Sequence, residues 1–140
     1  MCSSDYYSLF EHTADIGVEV KGKTLEEAIE RLLLAFYDLN VSLDNVEERM
    51  DRVIKGEGET LQDSLVYLLE EALFLFDTEG FVGKHVDVKV EGNTINATVR
   101  GELFNPQKHE PKFEIKAITY HQMVIKETDE GFLIRVVFDV

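Results

Sequence analysis

The chain has 140 residues, of which 44% are apolar, enough for one ordinary domain with a buried core. Its 28 acidic residues outnumber its 14 basic residues and give a formal net charge of −14, which repels phosphate backbones and argues against tight, direct binding of nucleic acid. Metal cations and basic protein surfaces are the partners that this charge favours.

Cysteine content and hydropathy point to the cytoplasm. The single cysteine, Cys2, cannot form an internal disulfide, which fits a reducing compartment. No basic start followed by an apolar run indicates a signal peptide. The apolar tract LVYLLEEALFLF is interrupted by Glu70 and Glu71, so we predict a cytoplasmic protein that does not cross a membrane.

The first predicted element is a strand over Ile16–Lys21, and it overlaps a nucleotide-binding pattern. Residues 17–24, GVEVKGKT, match the phosphate-binding loop of nucleotide hydrolases. The alternation of β-branched and charged residues between Gly17 and Gly22 predicts extended backbone instead, which would hold those glycines more than about 10 Å apart. They could not close one loop, and we predict that this chain binds no nucleotide.

Two helices follow, each with a threonine at its start. Thr24 with Glu27 forms a capping box before a helix that runs to about Asn40. A second helix is predicted from Thr60 to about Asp77, after a short strand over 51–55. Whether residues 40–51 form a loop or extend the first helix stays open.

The second half of the chain changes to a period of two. VDVKVE and TINATVRG flank the turn Gly92-Asn93 and predict a hairpin. Further strands are expected near Phe113–Ala117, Thr119–Lys126 and Phe132–Phe138. The pattern predicts a single α+β domain over 1–140, a two-layer fold with two helices packed on one face of a mostly antiparallel sheet, in the order β-α-β-α-β-β-β-β.

Acidic residues near both ends of the sequence are candidates for a metal site. FEHTADIG places His12 and Asp15 before the first strand, and the sequence closes on Asp139 and Val140. If Asp15 comes alongside Asp139 and the carboxylate of Val140, three hard oxygen groups converge, which suits calcium or magnesium. A turn satisfied by its own backbone and a solvated acid at a strand end are the simpler alternatives.

A third stretch, KAITYHQ at 116–122, places Lys116 where an apolar residue is expected in a buried strand. The lysine could form an ion pair, or could present a positive charge to a phosphate or carboxylate. The four histidines show no zinc-binding spacing with cysteine, and no nucleophile motif is present. We therefore predict no catalytic residues and no enzyme activity of its own.

Taken together, these stretches resemble the archease family. FEHTADIG, the TLEEA helix start, the second helix, KAITYH and the final VVFDV occur in the family's order and cover nearly the whole chain. The resemblance implies an activator of the RtcB-type RNA-splicing ligase. Such a protein promotes guanylylation of the ligase and its multiple turnover in tRNA splicing and RNA repair, and it meets RNA only through the ligase.

The resemblance also implies a divalent metal ion held by Asp15, Asp139 and Val140. Calcium is the first expectation, with magnesium or manganese as alternatives. Lys116 and His12 are further candidate functional residues. Two rival interpretations remain: a chaperone-like or scaffolding module with a structural metal site, and a small metal-dependent hydrolase that acts alone.

Overall fold

The computed structural model describes residues 6–12 and 15–140, and for residues 10–12 it describes the backbone alone. In this part of the chain, strands alternate with two α-helices in the first half, and four long strands follow the second helix. The elements are β1 (Tyr7–His12), β2 (Asp15–Gly22), α1 (Leu25–Asn40), β3 (Met50–Glu57), α2 (Leu61–Glu79), β4 (Phe81–Glu91), β5 (Thr94–Leu103), β6 (Ala117–Thr128) and β7 (Gly131–Asp139).

The strands form two sheets, of order β1-β2-β7-β6 and β3-β5-β4. Every pairing between these strands is antiparallel. Helix α1 packs against β2 and β7 of the first sheet and against β4 of the second, while α2 packs against β3, β5 and β6. The predicted α+β class, with two helices on antiparallel sheet, is confirmed.

Two features of the topology differ from the expected order. The strands divide between two sheets, and one strand more, β1, precedes the others. Without β1, strand β2 would be the edge of its sheet and would leave its backbone N–H and C=O groups unpaired. Pairing of β1 with β2 over six residues satisfies those groups.

Both helix starts follow the capping chemistry that the sequence predicts. Thr24 Oγ1 accepts a hydrogen bond from the Glu27 N–H, and the Glu27 carboxylate accepts one from the Lys23 N–H, one residue before the N-cap, so the pair forms a variant of the capping box. Thr60 Oγ1 caps α2 by accepting from the Asp63 N–H at 3.1 Å. These bonds satisfy N–H groups that the helices leave without an internal partner.

The core lies between the helices and the inner faces of the sheets. Residues at helical spacing in α1 and α2 are fully buried, among them Leu32, Leu33, Phe36, Leu65, Leu68 and Leu69. In β7, Ile134, Val136 and Phe138 face this core. Because side chains alternate along a strand, Asp139 lies on the opposite face, away from the helices.

The strand expected over 113–117 is wrong, since β6 begins only at Ala117. The Lys112 and Phe113 N–H groups instead donate to the carbonyls of Asn40 and Leu39 at 2.9 Å each. The segment thereby satisfies carbonyls at the C-terminal end of α1, which a helix leaves unpaired. A sequence pattern of period two cannot reveal this use of the backbone.

Two other questions from the sequence are answered by the backbone. Helix α1 ends at Asn40, and a loop with a short 3-10 turn at Leu43–Asn45 leads to β3. Residues 17–22 lie within β2, so the predicted strand is confirmed and the phosphate-binding loop is not formed. No helix in the described ranges is long and apolar enough to cross a membrane.

Candidate functional site

One rung of the four-stranded sheet brings the predicted site positions together. His12 pairs with Asp15, Asp15 pairs with Asp139, and Asp139 pairs with Ala117. Lys116 comes directly before Ala117, and its N–H donates to the Asp139 carbonyl at 2.8 Å. Positions separated by more than 120 residues in the sequence thus share one end of one sheet.

The two acids on this rung are direct neighbours across β2 and β7. Directly opposed residues of an antiparallel pair point to the same face, with Cβ atoms about 4.5–5.5 Å apart. Both Asp15 and Asp139 are half-buried, so water screens their charges only in part. Two carboxylates at this spacing repel, and a cation or hydrogen-bond donors between them would lower the energy.

The same two strands carry the opposite arrangement four residues further along. Glu19 lies opposite Arg135, with the Arg135 Nε atom 3.6 Å from Glu19 Oε2. There a cross-strand acid meets a base and the charges compensate within the protein. The Asp15–Asp139 rung is therefore a like-charge pair on a sheet face that also forms an opposite-charge pair.

The remaining predicted site residues surround this rung to different extents. Val140 follows Asp139 directly and is partly buried against the core. Lys116 is exposed. The side chain of His12 lies outside the described residues, although its backbone belongs to β1.

The described side chains do not complete a metal site by themselves. Among residues 6–9 and 15–140, no group of three or more histidine, cysteine, aspartate and glutamate side chains is placed to hold a metal ion. The rung supplies two carboxylates, so further ligands would be main-chain oxygens, water or groups outside the described set. Carboxylate and carbonyl oxygens are the donors that calcium and magnesium prefer.

A second acidic site, centred on Glu102, is buried and was missed by the sequence analysis. Glu102 is 6% exposed and His109 is 3% exposed. The Glu102 carboxylate accepts hydrogen bonds from the Glu47 N–H at 2.7 Å, Lys108 Nζ at 2.8 Å and His109 Nε2 at 2.9 Å. Burial raises the pKa of this carboxyl, but these donors outweigh burial and lower the pKa to about 2.

The tautomer of His109 follows from its two ring contacts. The Asn105 N–H donates to His109 Nδ1 at 2.9 Å, so the ring hydrogen sits on Nε2 and points at Glu102. Lys108, His109 and the Glu47 N–H all donate to the Glu102 carboxylate, and this geometry indicates that the network holds β5 and the loop after it together. No local sequence pattern predicts this network, because Glu102 and His109 become neighbours only when that loop folds back.

Comparison with known proteins identifies the family of this chain. A model of the Archease protein family (MTH1598/TM1083) matches residues 7–140. The chain belongs to the archease family. It is 44% identical to the archease of Pyrococcus abyssi over 126 residues, which cover 87% of this chain and 89% of that protein. It is 39% identical to the archease of Archaeoglobus fulgidus over 137 residues, with coverage of 96% and 98%.

Solved structures of archease relatives share the fold. Protein 1598 of Methanobacterium thermoautotrophicum, solved in solution, superimposes with a TM-score of 0.76 at 30% identity, covering 96% of this chain and 99% of that chain. A crystal structure from Thermotoga maritima, described as an archease and possible chaperone, gives a TM-score of 0.66 at 24% identity, with 94% of each chain covered. At that identity the second likeness shows the fold alone.

In this archease, the outer face of α2 carries exposed aromatic rings among acids. Tyr67 is 47% exposed and Phe74 is 60% exposed, two turns apart on the helix. Tyr120, from the bulged part of β6, donates to Asp63 Oδ1 at 2.7 Å. That hydrogen bond raises the pKa of Tyr120 to about 12. Exposed aromatic side chains are enriched at surfaces that bind other proteins.

Proposed function

We propose that this protein activates an RtcB-type RNA-splicing ligase, promoting guanylylation of the ligase and its multiple turnover in tRNA splicing and RNA repair. The observation that carries the proposal is the register that sets Asp15 opposite Asp139. Membership of the archease family supports a role as an accessory protein. On this proposal the protein is a cytoplasmic cofactor of the ligase and catalyses no reaction itself.

The Asp15–Asp139 rung is the proposed metal site. Asp15, Asp139 and a main-chain oxygen of Val140 would hold a divalent ion, with calcium as the first candidate and magnesium or manganese as alternatives. The donor chemistry fits, since all three groups are hard oxygen ligands and the two carboxylates lie opposite each other across the strands. A bound ion would supply positive charge next to the phosphate groups of the ligase's nucleotide.

The charge of the whole molecule supports a basic protein partner. With 28 acids and 14 bases, the net charge is −14, which attracts an RNA-binding enzyme and repels free RNA. RNA would therefore be met only through the ligase. Lys116 and His12 flank the rung and are proposed to contact the ligase or its nucleotide.

The test is ligase guanylylation under multiple turnover with wild-type protein, Asp139→Asn and a matched control, Asp87→Asn. Asp87 is an exposed acid of the other sheet, paired with His85 at 3.4 Å. We expect the Asp139 variant to lose about tenfold or more of the stimulation because a metal ligand is gone. The control should stimulate as the wild type does.

Each other outcome removes part of the proposal. Equal stimulation by wild type and Asp139→Asn would keep the partner and exclude the rung from the mechanism. Absence of stimulation by wild-type protein would exclude the ligase as its partner. Circular dichroism of both variants establishes whether lost stimulation comes from unfolding.

A chaperone-like module with a structural metal site is the second candidate, and the Thermotoga maritima relative described as a possible chaperone favours it. It predicts that chelation of divalent ions unfolds the protein and that unrelated client proteins respond to it. A stand-alone metal-dependent hydrolase would instead show turnover without any ligase. The same guanylylation assay, run with chelator and with a heat-denatured client protein, separates these cases.

A further inference from the structure

A cleft with basic walls lies at the other end of the four-stranded sheet from the Asp15–Asp139 rung. Its volume is about 450 Å³. Lys21 and Lys126 both lie on the rung of Leu133, while Lys23 follows β2 and Arg31 comes from α1. We call this the basic cleft; its walls also include Glu27 and Glu130.

Three of its four basic side chains form no ion pair with an acidic side chain in the described part of the chain. Arg31 pairs with Glu27 at 3.9 Å and donates to the Lys21 carbonyl. Eight of the protein's 14 basic residues have such a partner: Arg31, Arg49, Arg52, Lys55, Arg100, Lys108, Lys112 and Arg135. Of the six that do not, Lys21, Lys23 and Lys126 all line the basic cleft.

The local charge is opposite in sign to that of the molecule. Four bases and two acids give the basic cleft a formal charge of +2 (4 − 2), whereas the whole chain carries −14. Unpaired ammonium groups that share a concave surface repel one another, and a multivalent anion would relieve that repulsion. Acids elsewhere on the chain are numerous enough to pair these lysines, yet the fold leaves all three facing a cavity.

We propose that the basic cleft binds a small anion bearing phosphate groups, held by the ammonium groups of Lys21, Lys23 and Lys126. A chain of phosphate groups can accept hydrogen bonds from several lysine ammonium groups at the same time. A small ligand fits better than a polynucleotide because a strand extending from the cleft would run over a strongly acidic surface. The volume lies within the usual range for small-ligand pockets, about 300–1,000 Å³.

This site differs from the phosphate-binding loop that the sequence pattern suggests. Such a loop holds phosphate with backbone N–H groups, whereas residues 17–22 are occupied in the ladders of β2. Only side chains would hold the ligand here. The inference does not depend on the proposed ligase function, and a failure of either leaves the other standing.

Titration calorimetry with tripolyphosphate at low ionic strength tests the proposal. The variants are Lys21→Gln/Lys126→Gln and, as a matched control, Lys89→Gln, an exposed lysine of β4 in the other sheet that also has no acidic partner in the described ranges. We expect saturable binding by wild type, at least about tenfold weaker binding by the double variant and no change in the control. Binding should weaken at about 0.15 M salt.

Parallel titrations with ATP and with a short single-stranded RNA distinguish the sources of phosphate. Equal affinity for tripolyphosphate and ATP, both lost in the double variant, supports recognition of the phosphate chain alone. Tighter binding of RNA that depends on Lys21 and Lys126 would overturn the assignment to a small ligand. Tripolyphosphate binding that is absent, or that the double variant retains in full, would overturn the site.

Discussion

Two partly or fully buried carboxylates, those of Glu102 and Asp139, lie in different surroundings. Comparing them distinguishes a structural acid from a candidate functional one. Glu102 is 6% exposed and accepts from Lys108, His109 and the Glu47 N–H. Asp139 is half-buried, lies opposite another acid, and receives no side-chain donor from the described residues. One acid is satisfied within the fold, and the other leaves acceptor capacity for a ligand.

The contrast teaches that burial of an acid does not by itself indicate function. The more buried carboxylate has the lower pKa, about 2 for Glu102, because the fold surrounds it with donors. On the rung, the two less buried acids lie opposite each other across β2 and β7. We expect substitutions at the first to change stability and substitutions at the second to change activity.

The largest effect on stability is expected for Glu102→Gln. A glutamine amide keeps one oxygen for the donors that meet Oε2, but its NH2 group would face Lys108 Nζ and Arg49 Nε where Oε1 now accepts, and the negative charge that these cations pair with would be lost. We expect the free energy of unfolding to fall by about 2–4 kcal/mol, measured by urea denaturation at neutral pH. Ligase stimulation should persist under conditions in which the variant is folded.

The matched control for this variant is Glu57→Gln. Glu57 pairs with Lys55 at 3.5 Å, but both side chains are more than half exposed, and exposed ion pairs contribute little to stability. Its free energy of unfolding should change by less than about 0.5 kcal/mol. A Glu102 variant as stable as this control would show that the buried network does not stabilise the fold.

Acid should remove the contribution of Glu102 in a defined direction. Its pKa is lowered in the folded state to about 2, below the value of about 4.3 in unfolded chains. The stabilisation is therefore fully present above about pH 4.5 and is lost as pH falls through about 2. Over this window, the difference in the free energy of unfolding between wild type and Glu102→Gln should shrink by about 1–3 kcal/mol.

Comparing the two proteins at each pH isolates this group, since the other acids titrate in both. Urea midpoints at several pH values between about 2 and 6 supply the measurement. A difference that stays constant over this range would show that the carboxylate of Glu102 gains no stability from its donors.

The sequence predicts the helices well because their signals are local. Thr24 and Glu27 lie three residues apart, and the Glu27 N–H donates to Thr24 Oγ1 as the capping pattern indicates, while the Glu27 carboxylate accepts from the neighbouring Lys23 N–H. The hairpin over β4 and β5 is likewise confirmed around the turn at Gly92. In both cases the interacting residues are neighbours in the chain.

Long-range pairings are where local patterns stop being informative. Nothing local sets Asp15 opposite Asp139; the acids near both ends of the sequence made these residues candidates, and the resemblance to archeases pointed to the same residues. The Glu102–His109 contact is absent from every motif for the same reason. Near residue 113, alternation predicted a strand, but the end of α1 requires donors and takes those N–H groups instead.

The smallest expected effect tests the like charges on the rung directly. Without divalent ions, Asp139→Asn removes the repulsion across β2 and β7 and should stabilise the protein by about 0.3–1 kcal/mol. Glu19→Gln, on the same two strands, breaks the opposite-charge pair with Arg135 and should destabilise it by a similar amount. Urea midpoints in chelator provide the measurement, and both shifts should shrink at high salt.

Adding calcium should then reverse the order of wild type and Asp139→Asn. An ion that binds only the folded wild type at a hundredfold excess over its dissociation constant stabilises it by about 2.7 kcal/mol, whereas the variant lacks one carboxylate ligand. The Glu19 variant keeps the rung and should gain as much as wild type. If Asp139→Asn is less stable than wild type in chelator, donors already satisfy the carboxylate of Asp139, and the contrast with Glu102 disappears.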